Sequence, residues 1–173
     1  RVGESASACD GDAVRRRDVR LLANEASRGR DIAGRDRRPV GQEEDAARRD
    51  FTVNALFYDP AKEEILDYLK GYEDIKAKKL RIIGDPIQRY REDPVRLLRA
   101  VRLASKLGLQ IETETAKPIG DLAPLLHNVP PSRLFDEMLK LLLSGYALPC
   151  VVELRARGLH HGLLPMLDVI LEQ

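Results

Sequence analysis

Residues 89–102 read RYREDPVRLLRAVR, and this stretch predicts the helix around which the rest of the chain is organised. Asp93 is a favourable N-cap, Pro94 suits the first helical position, and Gly108 is a typical residue at the end of a helix. Apolar side chains recur every three or four residues after Pro94, which is the spacing of one buried helix face. They are Leu97, Leu98, Val101, Ala104 and Leu107.

A neighbouring face of the predicted helix is charged. Arg96, Arg99 and Arg102 recur every three residues, and Glu92 and Asp93 precede the helix. A guanidinium beside a carboxylate presents hydrogen-bond donors and acceptors together, which is what reading the edge of a nucleobase requires. The simpler interpretation is a capped helix with an ion-paired face in solvent. We prefer the nucleotide interpretation only because two other segments point to the same chemistry.

Length and composition exclude several classes of protein. A chain of 173 residues can bury a core, and its 29 basic and 28 acidic residues give a net charge of +1, so bulk charge does not indicate nucleic acid. Cys9 and Cys150 match no metal or disulfide spacing. No apolar run approaches the length of a membrane span, and the first residues lack the apolar core of a signal peptide. We therefore expect a soluble, cytoplasmic protein with no membrane partner.

Residues 1–41 differ in composition from the rest of the chain. The first fifty residues contain twelve arginines, no lysine and no aromatic residue. We expect this segment to be poorly ordered, because its arginine clusters interrupt any apolar periodicity. It is either a basic arm that contacts nucleic acid or a non-native start, such as a truncated or out-of-frame piece ahead of a genuine domain. The abrupt change in composition slightly favours a non-native start.

Residues 42–92 have the patterns of a small mixed segment. Residues 43–49 place acids before bases and predict a short helix. Alternating apolar residues at 51–58 predict a half-buried strand, and residues 64–69 predict the strand that returns beside it. A third extended piece is expected at residues 80–83.

Residues 93–173 are expected to be helical throughout. Beyond the helix that ends near Gly108, apolar spacing and turn residues predict helices at residues 113–126, 133–143, 147–157 and 163–171. The predicted fold class is α+β and predominantly helical, with a small β segment followed by a helical bundle.

Two further groups of residues carry possible chemistry. Arg48, Arg49 and Asp50 stand directly before the predicted strand, where two arginines could clamp a phosphate while the carboxylate accepts from a sugar hydroxyl. On their own they are more simply a charged helix end. The second group is Asp67, Gly71 and Asp74, which suggests a hairpin-to-helix connection with Asp74 as an N-cap.

Together, the three groups resemble the class II nucleotidyltransferases in both order and spacing. These are the CCA-adding tRNA nucleotidyltransferases and the bacterial poly(A) polymerases of the polymerase-β-like superfamily. The resemblance covers about residues 42–171, and residues 83–91, 130–140 and 158–165 resemble the poly(A) polymerase branch. The two branches share their chemistry, so the choice between a poly(A) tail and a CCA end stays open.

The resemblance implies a division of the chain. Residues 42–92 would be the C-terminal part of the nucleotidyltransferase head, with the strands as a remnant of its palm. Residues 93–173 would be a helical neck and body that bind RNA and nucleotide.

The resemblance also implies roles for individual residues. Asp50 would contact the ribose hydroxyl, and the two arginines before it would lie near the triphosphate. Glu92, Asp93 and Arg96 would pair with the incoming base, and Arg99 would support them. The nucleotide-binding residues implied are Arg48, Arg49, Asp50, Glu92, Asp93, Arg96 and Arg99. The structural residues implied are Asp67, Gly71 and Asp74, a hinge-like connection, and Arg133, Glu137 and Lys140, on a helix that braces the nucleotide helix. We expect His160 and His161 to be structural or surface residues.

Metal ligands are the departure from the family pattern. Phosphoryl transfer of this type uses two metal ions, so the resemblance implies Mg²⁺, ATP and an RNA 3′ end. The family takes its ligands from a glycine-rich turn followed by a strand bearing Asp-x-Asp. Residues 10–12 read Asp-Gly-Asp but lack that turn and an apolar strand, so no catalytic or metal-binding carboxylate is identified.

The function expected is therefore that of the family, with a reservation about this polypeptide. The family reaction adds AMP from ATP to RNA and releases pyrophosphate. The chain by itself is expected to be an incomplete and inactive portion, and the alternatives are a CCA-adding enzyme or a non-catalytic nucleotide- or RNA-binding fragment. A strand bearing Asp-x-Asp encoded upstream would favour the enzyme.

Overall fold

A computed structural model describes residues 41–59, 63–161 and 163. Contacts divide the chain into residues 1–40 and residues 41–173, so every described residue belongs to the second unit. The expectations for residues 1–40, including the Asp-Gly-Asp at 10–12, lie outside the described residues, as does most of the helix predicted at 163–171.

The first elements are a short helix and a hairpin. Helix α1, Gln42–Arg48, has three acids in its first turn and an arginine in its last, an arrangement that the helix dipole favours. Strands β1, Leu56–Asp59, and β2, Glu64–Asp67, form an antiparallel pair in which Phe57 lies opposite Leu66. The predicted helix and hairpin are confirmed.

The strand predicted at residues 51–58 is wrong in its first half. Phe51 makes only an isolated bridge to Ile82, and Thr52–Asn54 form a 3₁₀ helix before β1 begins. The Thr52 hydroxyl donates to the buried carboxylate of Asp74 at 2.7 Å, and this distant contact stabilises the turn. Phe51 and Val53 are nevertheless fully buried, as the alternation requires.

The connection after the hairpin forms a helix that is capped differently from the prediction. Helix α2, Gly71–Lys76, contains Asp74 in its interior, so Asp74 is not the N-cap. Lys70 is the N-cap residue, and the Asp67 carboxylate caps the helix from three residues earlier by accepting from the backbone N–H groups of Gly71 and Tyr72, both at 2.9 Å. Strand β3, Lys79–Leu80, follows.

The predicted central helix is confirmed, one residue later than expected. Helix α3, Pro86–Glu92, precedes it, and helix α4 runs Val95–Leu107 and ends at Gly108, whose φ is 63°. The Asp93 carboxylate accepts from the Val95 N–H at 3.3 Å. Four of the five predicted apolar residues are buried and Leu107 is partly buried.

Residues after α4 are mostly but not entirely helical. Strand β4, Gln110–Ile111, pairs in parallel with β3, which corrects the all-helical prediction. Two residues carry too little alternation for a strand to be predicted from sequence. The helices are α5 Thr113–Ala116, α6 Ile119–Leu122, a 3₁₀ helix Ala123–Asn128, α7 Pro131–Leu142 and α8 Ala147–Ala156.

One apolar core joins the β segment to the helices. Phe51 and Leu80 belong to the same buried cluster as Leu98 of α4, Leu141 of α7 and Leu154 of α8. The α+β, predominantly helical fold class is confirmed. No helix within the described ranges is long and apolar enough to cross a bilayer.

Candidate functional site

A row of charged side chains runs from the end of α1 across α4 to α7. We call it the ionic row; it consists of Asp50, Arg99, Glu137, Arg102 and Lys140. Arg99 Nε donates to Asp50 Oδ2 at 2.7 Å, and Arg99 Nη1 lies 3.8 Å from Glu137 Oε1. Glu137 is also 3.6 Å from Arg102 and 2.7 Å from Lys140. The ionic row therefore connects the residue implied for ribose contact to the helix implied as a brace.

Asp50 is held as a carboxylate by its surroundings. Its Oδ1 accepts from the Phe51 N–H at 2.9 Å and from Asn54 Nδ2 at 3.1 Å. Burial alone would raise the pKa of Asp50, but the charge of Arg99 and these hydrogen bonds outweigh burial and keep that pKa below its ordinary value. Burial likewise opposes the charge of Arg99, but the carboxylates of Asp50 and Glu137 raise the Arg99 pKa.

A second group of charges lies at the junction of α3 and α4. Arg96 Nη1 donates to Glu92 Oε2 at 3.2 Å and to the Arg89 carbonyl at 2.6 Å, and Arg89 Nη1 donates to the same Glu92 oxygen at 3.1 Å. Desolvation would raise the pKa of Glu92, but the hydrogen bond from Arg96 and the charges of Arg89 and Arg96 lower it. An exposed carboxylate and two guanidinium groups are thus adjacent, as base reading requires.

Asp93 is bound to α7. Its Oδ2 accepts from Arg133 Nη2 at 2.9 Å, across a pair that is partly exposed on both sides. All three residues implied as a brace, Arg133, Glu137 and Lys140, therefore make ion pairs, with Asp93 or within the ionic row.

The two arginines before Asp50 have different surroundings. The Arg49 guanidinium donates to Asp45 at 2.9 Å and to the Asn54 carbonyl at 2.8 Å, and it lies 4.7 Å from the centre of the Phe57 ring. Arg48 has an exposed side chain. Arg49 therefore stabilises the local structure, and a triphosphate contact by these two arginines stays a prediction.

Arg89 is a site residue that sequence reasoning missed. Its Nη2 donates to the backbone carbonyls of Arg48 and Arg49, which attaches α3 to the end of α1. Its spacing of three residues before Glu92 could have signalled the helical ion pair. No sequence pattern signals a guanidinium bound to backbone carbonyls forty residues away.

The hinge-like residues hold the connection between the hairpin and β3. The Asp74 carboxylate accepts from Thr52 and from Arg81 Nε at 3.2 Å, and Asp67 caps α2. Gly71 allows α2 to approach the 3₁₀ helix, because a Cβ there would lie 2.2 Å from the Thr52 carbonyl oxygen.

The carboxylates of the site do not fit a divalent metal. Each carboxylate already accepts hydrogen bonds from arginine. Asp50 accepts from Arg99, Glu92 accepts from Arg89 and Arg96, and Asp93 accepts from Arg133. Among the residues that the structure describes, no three His, Cys, Asp or Glu side chains come together as a metal site.

Comparison with known proteins shows that the chain belongs to the nucleotidyltransferase family that contains the bacterial poly(A) polymerases and the CCA-adding enzymes. Two family models match it: "Poly A polymerase head domain" at residues 7–81 and "Probable RNA and SrmB- binding site of polymerase A" at residues 108–171. The resemblance predicted from the three groups of residues is confirmed.

Individual relatives come from both branches. Poly(A) polymerase I of Haemophilus influenzae is 54% identical over 126 residues, which are 73% of this chain and 28% of that protein. The CCA-adding enzyme of Limosilactobacillus reuteri is 40% identical over 117 residues, 68% of this chain and 29% of that enzyme. The solved CCA-adding enzyme of Bacillus stearothermophilus in complex with CTP matches with a TM-score of 0.65 and 38% identity, covering 70% of this chain and 30% of that one. The chain thus spans less than a third of the length of these relatives.

Proposed function

We propose that this chain carries the nucleotide-selecting part of an enzyme that adds AMP from ATP to the 3′ end of RNA and releases pyrophosphate. The observation that carries the proposal is the junction of α3 and α4, where the Glu92 carboxylate lies within 3.2 Å of the Arg96 guanidinium. These groups offer an acceptor and donors to a base edge. Asp50 is a partly buried carboxylate bound to Arg99 of α4, and it offers an acceptor to a ribose hydroxyl.

Adenylation is favoured over CCA addition by the degree of similarity. Identity to poly(A) polymerase I reaches 59% over 104 residues, whereas the CCA-adding relatives reach 44% over 105 residues. A CCA-adding enzyme must accept both CTP and ATP, so equal affinity for these two nucleotides would support that alternative.

RNA is the proposed macromolecular partner. Arg133 and Lys140 of α7 keep 55% and 56% of their side chains exposed, and they lie in the segment that matches the RNA-binding family model. Exposed cations of this kind contact phosphates rather than bases. We place the reaction in the cytoplasm.

Mg²⁺ is the proposed cofactor of the whole reaction, with ligands outside the described site. The carboxylates of that site are already paired with cations, so we expect the 173-residue chain to bind ATP without transferring AMP. Incubation with ATP, Mg²⁺ and an RNA primer should leave the primer length unchanged. Primer extension would contradict the predicted inactivity of the chain.

The proposed base contact is tested by Arg96→Ala. We expect the wild-type chain to prefer ATP among the four nucleoside triphosphates, and the variant to lose about tenfold in ATP affinity, which is about 1.4 kcal/mol. Affinities for CTP, GTP and UTP should change little, because only ATP uses the Arg96 donor. Isothermal titration with all four nucleotides measures the effect.

Arg91→Ala is the matched control for Arg96→Ala. It removes the same charge from an exposed position on α3 and should leave the preference for ATP intact. An equal loss for all four nucleotides in Arg96→Ala would indicate a phosphate contact or a folding defect and would contradict base reading.

A further inference from the structure

The Asp50 carboxylate has no free position for the ribose hydroxyl that the proposed function assigns to it. A carboxylate offers about four lone-pair sites. Oδ1 accepts from the Phe51 N–H and from Asn54, and Oδ2 faces two nitrogens of Arg99, Nε at 2.7 Å and Nη2 at 2.5 Å. One of these donors must therefore leave when a hydroxyl binds.

Arg99 is the donor best able to move. The other two donors are fixed in place, because the Phe51 N–H belongs to a fully buried residue and Asn54 is part of the 3₁₀ helix. The Arg99 side chain is long and keeps 34% of its surface exposed. It also lies between two carboxylates, hydrogen-bonded to Asp50 and 3.8 Å from Glu137, which is within ion-pair distance but beyond a hydrogen bond.

Glu137 presents a carboxylate to Arg99 whose acceptor capacity is only partly used: the facing Oε1, 3.8 Å from Arg99 Nη1, accepts from Lys140 at 2.7 Å. The residue is 6% exposed, and its Oε2 is buried without a hydrogen-bond donor among the described residues. Arg102 Nε lies 3.6 Å from that oxygen, which is too far for a hydrogen bond. A carboxylate offers about four lone-pair sites, and a buried acceptor without a donor is unfavourable, so a hydrogen bond from Arg99 to either oxygen of Glu137 would offset the bond lost at Asp50.

We propose that Glu137 is a positioning residue for ribose recognition, which receives an Arg99 N–H when Asp50 accepts a ribose hydroxyl. The inference rests on the proposed function of Asp50. Glu137 does not touch the nucleotide; it makes a position at Asp50 available. Because Glu137 belongs to α7, the movement of Arg99 also links the ribose to the helix proposed to contact RNA.

The test is Glu137→Gln in the full chain, titrated with ATP, 2′-deoxy-ATP and 3′-deoxy-ATP. We expect the wild type to prefer ATP by about tenfold over the analogue that lacks the recognised hydroxyl. In the variant the neutral amide is a weaker acceptor, so ATP affinity should fall to that of the analogue. The analogue's own affinity should not change, because Arg99 remains on Asp50 when no hydroxyl arrives.

Two controls separate positioning from folding. Glu153→Gln removes an ion pair of the same chemistry at a more exposed place, between Glu153 of α8 and Arg157 at 2.7 Å, and should leave the ratio of ATP to deoxy-ATP affinity unchanged. Glu137→Asp keeps the charge and should restore part of that ratio. An equal loss for ATP and both analogues in Glu137→Gln would show a merely structural role and overturn the inference.

A second measurement avoids substitutions at Glu137. The ¹⁵N resonance of Arg99 Nε, assigned with Arg99→Lys, should shift when the wild type binds ATP and should not shift with the deoxy analogue. An identical response to both would overturn the inference even if Glu137→Gln does not fold. If the chain selects ATP over CTP, GTP and UTP but shows no dependence on Glu137, the proposed function stands and only the inference about Glu137 is overturned. If the chain does not select ATP, both are overturned.

Discussion

At the scale of single residues, the protonation of Asp50 should affect stability as well as binding. Its carboxylate accepts from Asn54 and Arg99 in the folded chain, and its pKa lies below the ordinary value of 3.8. The unfolded chain therefore takes up this proton at a higher pH than the folded chain does. The resulting stabilisation is complete above the unfolded pKa and is lost as pH falls through the folded pKa.

Asp50→Asn should remove this part of the acid sensitivity. Relative to the wild type, its free energy of unfolding should decline less steeply as pH is lowered from 5 towards 2.5, because the asparagine takes up no proton. Urea denaturation at half-unit pH intervals measures both profiles. Parallel profiles for the two proteins would show that Asp50 is not stabilised as a carboxylate in the folded chain.

At the same scale, the sequence indicated which charged residues belong to the candidate site, but it did not indicate most of their ion-pair partners. Arg96 and Glu92 lie four residues apart in the sequence, so their ion pair is local, although it spans the break between α3 and α4. The contact between Arg99 and Asp50 joins α4 to the residues after α1, and the contact between Arg99 and Glu137 joins α4 to α7. Such pairs depend on how the helices pack, which no local pattern specifies.

At the scale of elements, α2 and the 3₁₀ helix approach each other more closely than any side chain at Gly71 would allow. The Cβ of an alanine there would lie 2.2 Å from the Thr52 carbonyl oxygen and 2.9 Å from its carbonyl carbon. Both atoms are backbone, so the two helices would have to separate. The buried hydrogen bond between Thr52 and Asp74 would then be strained.

Gly71→Ala should consequently destabilise the fold by about 1–3 kcal/mol, the usual cost of inserting a methyl group into a packed contact. Gly120→Ala on α6 is the matched control, because its Cβ would meet only the Arg157 carbonyl oxygen at 3.9 Å. Alanine has the better helix propensity, so that control should be neutral or stabilising by up to about 1 kcal/mol. Similar urea midpoints for the two variants would disprove the close approach.

The same contact explains why one element was predicted wrongly. Alternation at residues 51–57 reports which side chains are buried, and Phe51, Val53 and Ala55 are indeed fully buried. The backbone forms a 3₁₀ turn because Thr52 binds Asp74, twenty-two residues away in the sequence. Helix α4 was predictable because its apolar spacing and terminal Gly108 are local signals, although its N-cap residue is Pro94 and not the predicted Asp93.

At the scale of the whole molecule, one core extends across the boundary predicted between residues 92 and 93. Phe51 and Leu80 on one side pack in the same cluster as Leu98, Leu141 and Leu154 on the other. That boundary remains a prediction about family architecture. The shared core indicates that the two segments do not unfold separately.

Calorimetry should therefore show a single transition for the described part of the chain. The calorimetric and van't Hoff enthalpies should agree, and the near-ultraviolet signal of the tyrosines, which include the buried Tyr90, should change together with the helical signal. Two separate transitions would show that the segments before and after residue 92 have independent stability.

The parallel pairing of β3 with β4 has a consequence for the order of folding. Lys79 pairs with Gln110 and Leu80 with Ile111, and the whole of α3 and α4 lies between them. A parallel pair cannot be closed by a tight turn, so joining these strands in an unfolded chain would cost the entropy of a long loop. Formation of α3 and α4 first shortens and directs the intervening chain. The amides of this strand pair should accordingly gain protection from hydrogen exchange only after α3 and α4 have formed.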